Sequence, residues 1–367
     1  MKIAVAMSGG VDSSVVAKMM VDQGNEVIGL FLKLWSDPSC SASRDNRCCD
    51  EEALWDARAV AKMIGIPFYV INARDEFKRE IVDCFLDEYK NLRTPNPCIK
   101  CNEKIKFELL LKKALSLGCD KLATGHYARI SWQSAVGSRQ REGNRKLLKG
   151  IDSSKDQSYM LYRLNQKQLS RVLFPLGEMT KKEVRALAES WNLPVKEKPE
   201  SQEICFVRDK DFRDFLRRYL SKNLFKKGQI VNTEGEIMGE HEGLINYTIG
   251  QRKGFNLSDK NEAREPLYVS GFDKKKNRLI VGSDKETFAD KMRIKDLHLV
   301  SGSGSLIQNP RLSVKIRYRH PAIKIKQLRK SGNKFEVEFA KSVRAITPGQ
   351  SAVFYLGDEV LGGGIIE

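Results

Sequence analysis

The residues of this chain that could do chemistry fall into two groups, a glycine-rich turn near the amino terminus and three thiols farther on. Ser8-Gly9-Gly10-Val11-Asp12-Ser13 follows an apolar run, Lys2 to Met7, and opens a helix-like stretch, Ser14 to Asp22. A glycine-rich turn between strand and helix aims bare backbone N–H groups, and the positive end of the helix dipole, at one point. Gly9 and Gly10 lack the Cβ atoms that would hold a phosphate away, while Ser8 and Ser13 add hydroxyl donors. Asp12 would repel phosphate unless a cation lay between them, so it is read as a Mg²⁺ contact, direct or through water. No lysine stands where a Walker A loop requires one.

The thiols divide by context. Cys84 and Cys119 sit among apolar or helix-like neighbours and read as core. Cys40, Cys48 and Cys49 lie in a polar, turn-rich stretch and receive no function. Cys98 and Cys101 follow Thr94-Pro95-Asn96-Pro97, on a predicted loop just before a helix from Lys104, where the dipole would stabilise a thiolate. Cys205 comes 104 residues after Cys101, in Ser201-Gln-Glu-Ile-Cys-Phe206, and precedes a helix-like run, Asp209 to Leu220. Two thiols on loops so far apart could meet over the nucleotide site. Cys-x-x-Cys alone leaves zinc, redox exchange and chance open, but four-ligand zinc needs one more Cys or His near Cys205. His126, His241, His298 and His320 show no such spacing.

The elements that must position these groups alternate. Strand-like Lys2–Met7, Glu26–Leu34, Pro67–Ile71 and Lys121–Thr124 are separated by helical Ser14–Asp22, Glu51–Ile64, Glu76–Asn91 and Lys104–Leu117. That pattern predicts an α/β domain with a doubly wound parallel sheet and ligands at the carboxyl ends of its strands, over residues 1–215. Residues 216–290 read as a small turn-rich central domain, and 291–367 as short strands forming a small barrel or sandwich. Of 367 residues 41% are hydrophobic and 30% charged, which fits a globular chain and excludes a disordered one. No apolar run approaches the roughly 18 residues of a membrane span. The start lacks the pattern of a signal peptide, so a cytoplasmic protein without membrane partners is expected.

The net charge of +17 points to a polyanionic partner. From Lys291 to Lys330 eleven Lys or Arg face one acid, Asp296, and Arg139 to Lys149 holds five against Glu142. In Leu312-Ser-Val-Lys-Ile-Arg-Tyr-Arg319, strand alternation would put Lys315, Arg317 and Arg319 on one face, a surface suited to a nucleic-acid backbone.

The Ser8–Ser13 loop, directly after a first strand, resembles the loop of ATP pyrophosphatases, which cleave ATP between its α and β phosphates. With it recur Thr94-Pro-Asn-Pro-Cys-Ile-Lys-Cys-Asn102, Ala123-Thr-Gly-His-Tyr127, Lys155-Asp-Gln-Ser158, Glu203-Ile-Cys-Phe206, Ile249-Gly-Gln-Arg-Lys-Gly254, Thr347-Pro-Gly-Gln-Ser351 and Gly362-Gly-Gly-Ile-Ile-Glu367. In that order the set resembles the bacterial tRNA-specific 2-thiouridylases nearly end to end. The resemblance implies an adenine-nucleotide α-hydrolase-like domain, a central domain and a carboxyl-terminal β-barrel. It implies adenylation, with ATP and Mg²⁺, of the carbon-2 carbonyl oxygen of a tRNA wobble uridine, followed by replacement of that oxygen with sulfur. Cys101 would be the nucleophile, and Cys205 would carry a persulfide from a sulfur-relay donor. Ala6, Met7, Ser8, Gly9, Gly10, Val11, Asp12, Ser13, Leu32 and Gly125 would contact ATP. Asn96, Pro97 and Cys98 would contact the target base, and His126, Lys155, Asp156, Gln157, Arg317, Tyr318 and Gln350 the tRNA.

Carbonyl oxygen is a poor leaving group and AMP a good one, which agrees with those roles. A persulfide supplies strong nucleophilic sulfur, and a second thiol resolves it into a Cys101–Cys205 disulfide. Many family members carry an aspartate, taken as a general base, where this chain has Cys98. Three readings follow: Cys98 thiolate takes the proton, another group or water does, or Cys98, Cys101 and Cys205 hold an iron–sulfur cluster. The metal-free relay is preferred, because ligating Cys101 and Cys205 to iron would remove both nucleophiles. Rival functions are another ATP pyrophosphatase acting on RNA or amino acids, such as a tRNA lysidine synthetase or an amide-forming synthetase, and a non-catalytic RNA-binding module.

Overall fold

In the computed structural model, residues 1–38, 51–132, 144–200, 204–207, 211–257, 266–301 and 309–367 are described. Cys40, Cys48, Cys49 and Ser201–Glu203 lie outside them.

The chain opens β1(Lys2–Ala6), α1(Val11–Asp22), β2(Glu26–Lys33), α2(Glu51–Met63) and β3(Phe68–Asn72). A long helical run follows, α3(Arg74–Phe77) and α4(Cys84–Lys90) joined by π-helical Lys78–Asp83. A second run comprises α5(Pro97–Lys100), π-helical Cys101–Leu110 and α6(Leu111–Ser116), before β4(Lys121–Ala123). After a hairpin, β5(Ala128–Trp132) and β6(Arg145–Lys149), come α7(Gln166–Leu169), β7(Val172–Leu173) and α8(Lys181–Ser190). β1, β2, β3, β4 and β7 form one sheet in the order β3-β2-β1-β4-β7, with every pairing parallel. The chain runs outward from β1 on one side and then crosses to β4 on the other. The gap above β1 and β4 is therefore the topological switch point, where such sheets bind ligands.

Apolar faces explain the layering. Val15, Val16 and Met20 of α1, Ala57 and Val60 of α2, and Val184 and Ala188 of α8 share one core with Ile3, Val5 and Val27 of the sheet. On the opposite face Ala4, Ile28 and Leu122 pack with Phe107, Leu110 and Leu111. That second core also takes in Val353, Tyr355 and Val360 of the carboxyl-terminal barrel, so the barrel is docked through apolar contact.

α9(Phe212–Tyr219) leads into an antiparallel and parallel sheet of β8(Gly228–Val231), β9(Ile237–His241), β10(Asn256–Leu257), β11(Tyr268–Asp273) and β12(Arg278–Gly282). The last unit contains β13(Phe288–Leu299), β14(Ser313–Lys315), β15(Ile323–Ser331), β16(Lys334–Arg344), β17(Ser351–Leu356) and β18(Glu359–Ile366). These strands pair in the order β13-β16-β15-β14-β17-β18, and β18 returns to β13, closing a barrel. The expected doubly wound α/β sheet and terminal barrel are both present.

Three local expectations need correction. The helix expected from Lys104 starts at Pro97, so Cys98 and Cys101 sit on its first turns and not on a loop. Proline at the first helical position costs no hydrogen bond, and the Asn96 side chain accepts from the Cys98 N–H at 3.2 Å. The strand expected over Leu312–Arg319 ends at Lys315, and the chain then bends, so Lys315, Arg317 and Arg319 share no strand face. It is β15 that alternates, with Lys324 and Lys326 exposed about buried Ile325. Of the basic stretch ending at Lys149, Arg145–Lys149 forms β6, whose Leu147 and Leu148 pair with β18, and Lys146 meets Glu359 at 2.8 Å, while Arg139 and Arg141 lie outside the described residues. Lys146 and Lys149, the latter donating to Gly357 O at 2.8 Å, stitch the hairpin to the barrel.

Candidate nucleotide and thiol site

The Met7 N–H donates to Leu30 O at 2.9 Å, carrying the strand to the edge of the loop. Serine hydroxyls then fix the turn: Ser13 Oγ accepts from the Ser8 N–H at 3.1 Å, and Ser13 and Ser14 donate to Gly10 O at 3.1 and 2.9 Å. Gly9 has φ +71°, and a Cβ there would stand 2.2 Å from Ala53 O of α2. Only glycine lets the loop lie this close to α2. Gly125, following β4, is pressed on the start of α1; its Cβ would meet Asp12 Cβ at 3.0 Å. Leu32 lies on the carboxyl-terminal half of β2, paired with Ile71 of β3.

Asp12 is held by two residues that sequence reasoning missed. The Tyr127 hydroxyl donates to its Oδ1 at 2.8 Å, and Lys181 Nζ donates to the same oxygen at 2.7 Å. Burial, then the Asp12 charge, pushes the Tyr127 phenol up, so it stays a donor. Lys181 stands in the first turn of α8, where Thr180 and Glu183 form a reciprocal cap and Asp152 Oδ2 accepts the Lys181 N–H at 2.9 Å. The signal was present in Thr180-Lys-Lys-Glu183, a capping pattern opening a helix, but nothing local tied that helix to residue 12. Lys181 also meets Glu200 at 3.3 Å, and Glu200 meets Lys155 at 2.6 Å.

Two of the three candidate thiols pack against one apolar cluster. Cys101 and Cys205 both pack against the core of Phe77, Ile81, Phe85, Ile105, Phe206 and Phe215. Phe206, next to Cys205, meets the rings of Phe85 and Phe215 at 5.2 and 5.6 Å, which seats the turn. Cys98 is exposed, and Cys101 and Cys205 are half-buried. Among the described residues, no three His, Cys, Asp or Glu side chains are grouped to hold one metal ion, Cys98, Cys101 and Cys205 included.

The loop before Cys98 is braced from two other domains. Gln350 Nε2 donates to Thr94 O at 2.8 Å, the Thr94 N–H donates to Pro348 O at 2.8 Å, and the hydroxyls of Thr94 and Thr248 lie 3.0 Å apart. Asn96 Nδ2 approaches Met160 Sδ at 3.6 Å, and Asn102 donates to Met160 O at 3.0 Å. The Thr347–Ser351 and Ile249–Gly254 motifs thus belong to this neighbourhood.

The remaining expected residues are placed unevenly. The Asp156 carboxylate points inward and accepts from the Gly150 and Ser158 N–H groups at 3.2 and 3.0 Å. Gln157 and Tyr127 exchange bonds of 2.9 and 3.0 Å, leaving Lys155 as the outward charge of that segment. His126 is 8% exposed between Phe107 and Phe174; its Nδ1 lies 2.8 Å from Thr124 Oγ1, and burial, then Lys106, pushes the imidazolium down. Arg317 donates to Arg344 O at 3.0 Å while its Nε is buried without a protein partner. Tyr318 lies beside Tyr159, with ring centroids 6.2 Å apart.

A glycine-rich loop at the switch point of a parallel sheet, followed by two β units, matches a known class. Residues 1–209 match the family profile described as "tRNA methyl transferase HUP domain", 213–283 the "tRNA methyl transferase PRC-barrel domain" and 289–366 the "Aminomethyltransferase beta-barrel domain". The tRNA-specific 2-thiouridylase MnmA of Geobacter metallireducens is 46% identical over 369 residues, 100% of this chain and 96% of its own. That of Carboxydothermus hydrogenoformans is 45% identical over 371 residues, 100% and 97%. That of Caldanaerobacter subterraneus, MnmA 1, is 46% identical over 368 residues, 100% and 98%. The chain belongs to the tRNA-specific 2-thiouridylase family. A solved 4-thiouridine synthetase–RNA complex with bound ATP overlaps at a TM-score of 0.36 and 17% identity, over 59% of this chain and 50% of that one, too slight to bear on function.

Proposed function

We propose that this chain thiolates carbon 2 of the wobble uridine of tRNA at the expense of ATP. The observation that supports the reading is the packing of both Cys101 and Cys205 against one apolar cluster, in the domain whose switch point bears the glycine-rich loop. Methyl transfer, the word in two profile descriptions, needs neither a pyrophosphatase loop nor paired thiols.

The uridine carbonyl oxygen attacks the α-phosphorus, the bond to the β-phosphate breaks, pyrophosphate leaves, and N3 gives up its proton. The terminal sulfur of a Cys205 persulfide then attacks carbon 2, and AMP departs. Cys101 thiolate attacks Sγ of Cys205, the sulfur–sulfur bond to the base breaks, and the 2-thiouridine regains its N3 proton. The Cys101–Cys205 disulfide left behind is reduced by an external thiol. A cytoplasmic sulfur-relay protein supplies the persulfide, and no iron–sulfur cluster takes part.

Ala6 to Ser13, Leu32 and Gly125 form the nucleotide site, with Lys181 as a further cation for its phosphates. Magnesium is held in such sites by one or two carboxylates together with nucleotide phosphates. Asp12 fits, since Tyr127 and Lys181 both donate to Oδ1 and, among the described residues, none donates to Oδ2, which could face a hydrated cation. Bound Mg²⁺ would offset the charge of the departing pyrophosphate. Asn96, Pro97 and Cys98 would meet the target base. Lys155, Arg317 and Tyr318 would meet the tRNA, with Asp156, Gln157, His126 and Gln350 in the same surface layer or just beneath it.

Nucleoside mass spectrometry of tRNA incubated with iron-free protein, ATP and a persulfide donor tests the reading. Cys205→Ser is expected to abolish 2-thiouridine while pyrophosphate release persists. Cys98→Ser should reduce 2-thiouridine less than Cys205→Ser does. Thiolation that survives a Cys101→Ser, Cys205→Ser double variant would sink the relay, and ADP as the primary product would sink the adenylation.

A further inference from the structure

Lys106 stands on the helical run that begins at the thiols, and its charge is not neutralised there. Its neighbours are paired: Lys104 meets Glu108 at 3.0 Å, and Glu103 lies 4.0 Å from Arg163. Among the described residues no carboxylate lies within ion-pair distance of the half-buried Lys106, whose Nζ instead lies 3.5 Å from His126 Nε2. An ammonium group can only donate, so Nε2 accepts and the ring proton sits on Nδ1, 2.8 Å from Thr124 Oγ1. That form of the imidazole is neutral, as its burial also requires. The contact therefore orients the ammonium group and leaves its full charge in place. A cation drawn partly out of water beside a neutral partner costs stability, which an arriving anion offsets.

The position of Lys106 selects the anion. His126 follows Gly125, whose Cβ would stand 3.1 Å from the Ser13 N–H at the start of α1, so one residue separates the lysine's partner from the glycine-rich loop. Two lysines thus approach the switch point from opposite faces of the sheet. Lys181 comes from α8, whose Val184 and Ala188 share the core of α1, and it is engaged by Asp12 and Glu200. Lys106 comes from the opposite layer, where Phe107 and Leu110 pack, and it lies one i→i+5 step after Cys101 on the π-helical run. It belongs both to the helix of the thiols and to the edge of the loop. We propose that Lys106 is a catalytic residue of adenylation, binding a non-bridging oxygen of the ATP α-phosphate on the side from which the uridine attacks. As the carbonyl oxygen bonds to the α-phosphorus, the bond to the oxygen bridging to the β-phosphate breaks and its electron pair leaves with pyrophosphate. Lys106 keeps its protons throughout and stabilises the charge on the equatorial oxygens. The inference rests on reading the loop as the ATP site.

The test measures the rate of pyrophosphate release by the full chain at saturating tRNA and nucleotide. The nucleotides are ATP and the two diastereomers of α-thio-ATP, in which sulfur replaces one or the other non-bridging α-oxygen. Lys106→Met should slow release from ATP about a hundredfold, with tRNA affinity changed by no more than about twofold. Sulfur is the weaker acceptor, so only the diastereomer with sulfur facing Lys106 feels the lost bond less. The ratio of rates for the two diastereomers should therefore change about tenfold between wild type and Lys106→Met. A residue that merely supports the fold or holds His126 would slow all three nucleotides alike, and an unchanged ratio overturns the proposal. So does a variant with wild-type release but weaker tRNA binding and a salt slope flatter by about one contact, since Lys106 would then hold an RNA phosphate. Lys106→Arg keeps the charge and should recover about a tenth of the wild-type rate, with an altered ratio that serves as the test should Lys106→Met fail to fold. Wild-type protein that releases no pyrophosphate with tRNA present would refute the functional reading itself. Release with an unchanged ratio in the variants refutes only the role of Lys106.

Discussion

Asp12 is bound by a phenol and an ammonium group on one oxygen, a geometry that survives replacement of its other oxygen by an amide. Asp12→Asn therefore removes charge with little disturbance of shape. If Asp12 holds Mg²⁺ as proposed, the expected effect is a fall of roughly a hundredfold or more in tRNA-dependent pyrophosphate release, since the metal would lose its protein ligand. tRNA affinity should change by no more than about twofold, because that term comes from cations elsewhere. A variant with wild-type pyrophosphate release would remove Asp12 from the metal site. Lys181 behaves differently, because it touches both Asp12 and Glu200, and its loss would disturb both carboxylates together.

At the scale of elements, the helix bearing Cys98 and Cys101 is only as well placed as the loop that enters it. Thr94 is gripped by the turn Thr347–Ser351, in which Gly349 has φ +91° and a Cβ would stand 2.9 Å from Thr94 N. Gly349→Ala forces both a strained backbone and a push on that loop. The strain should cost about 1–3 kcal/mol, read as a lower denaturation midpoint. Thiolation should fall several-fold, whereas affinity for a non-hydrolysable ATP analogue in the absence of tRNA should not change, because the glycine-rich loop stands on β1 and α1. Equal losses in thiolation and nucleotide binding would show that the brace serves the whole domain. The π-helical Cys101–Leu110 begins at the thiol itself, and π turns commonly mark functional positions in helices.

For the whole molecule, charge and burial act on different quantities. The excess of cations is partly consumed internally, as in Lys315 with Asp156 at 3.8 Å, Lys326 with Glu338 at 2.6 Å and Lys334 with Glu367 at 2.6 Å. Exposed Arg319, Lys324, Arg329 and Lys330 remain on the barrel to attract a polyanion. Stability depends instead on the histidines. Burial is the first cause in all four, and it holds the imidazolium of His126, His241, His298 and His320 below the ordinary value of 6.5. A depressed folded-state value means that the unfolded chain binds the proton more readily. Stability is then intact above about pH 6.5 and is lost as the pH falls toward the folded values. The paired carboxylates, depressed from 3.8 or 4.5, add their loss only at lower pH. Between about pH 7.5 and 5.5 the melting temperature should drop by several degrees, and replacing buried His241 with Gln should reduce that dependence. A flat profile would contradict the burial of these rings.

The chemistry-bearing groups were legible in the sequence because their signals are local. Gly9 and Gly10 between strand and helix, the two prolines ahead of two thiols, and the alternation from β1 to β4 each follow from a few neighbouring residues. The end-to-end order of motifs added the family. What the tertiary structure alone decided is which distant side chains meet. Local pattern cannot show that Lys181 and Tyr127 share an oxygen of Asp12, since those residues lie on separate elements that only the parallel sheet brings to one edge. Nor can it show that Glu200 links two lysines, or that Gln350 braces Thr94 across two domains. Arg317 illustrates the same limit in reverse: alternation suggested an outward cation, but the strand ends at Lys315 and the guanidinium turns back to Arg344 O. Short-range sequence specifies elements and their polarity, whereas the pairing of buried charges depends on packing between elements far apart in the chain.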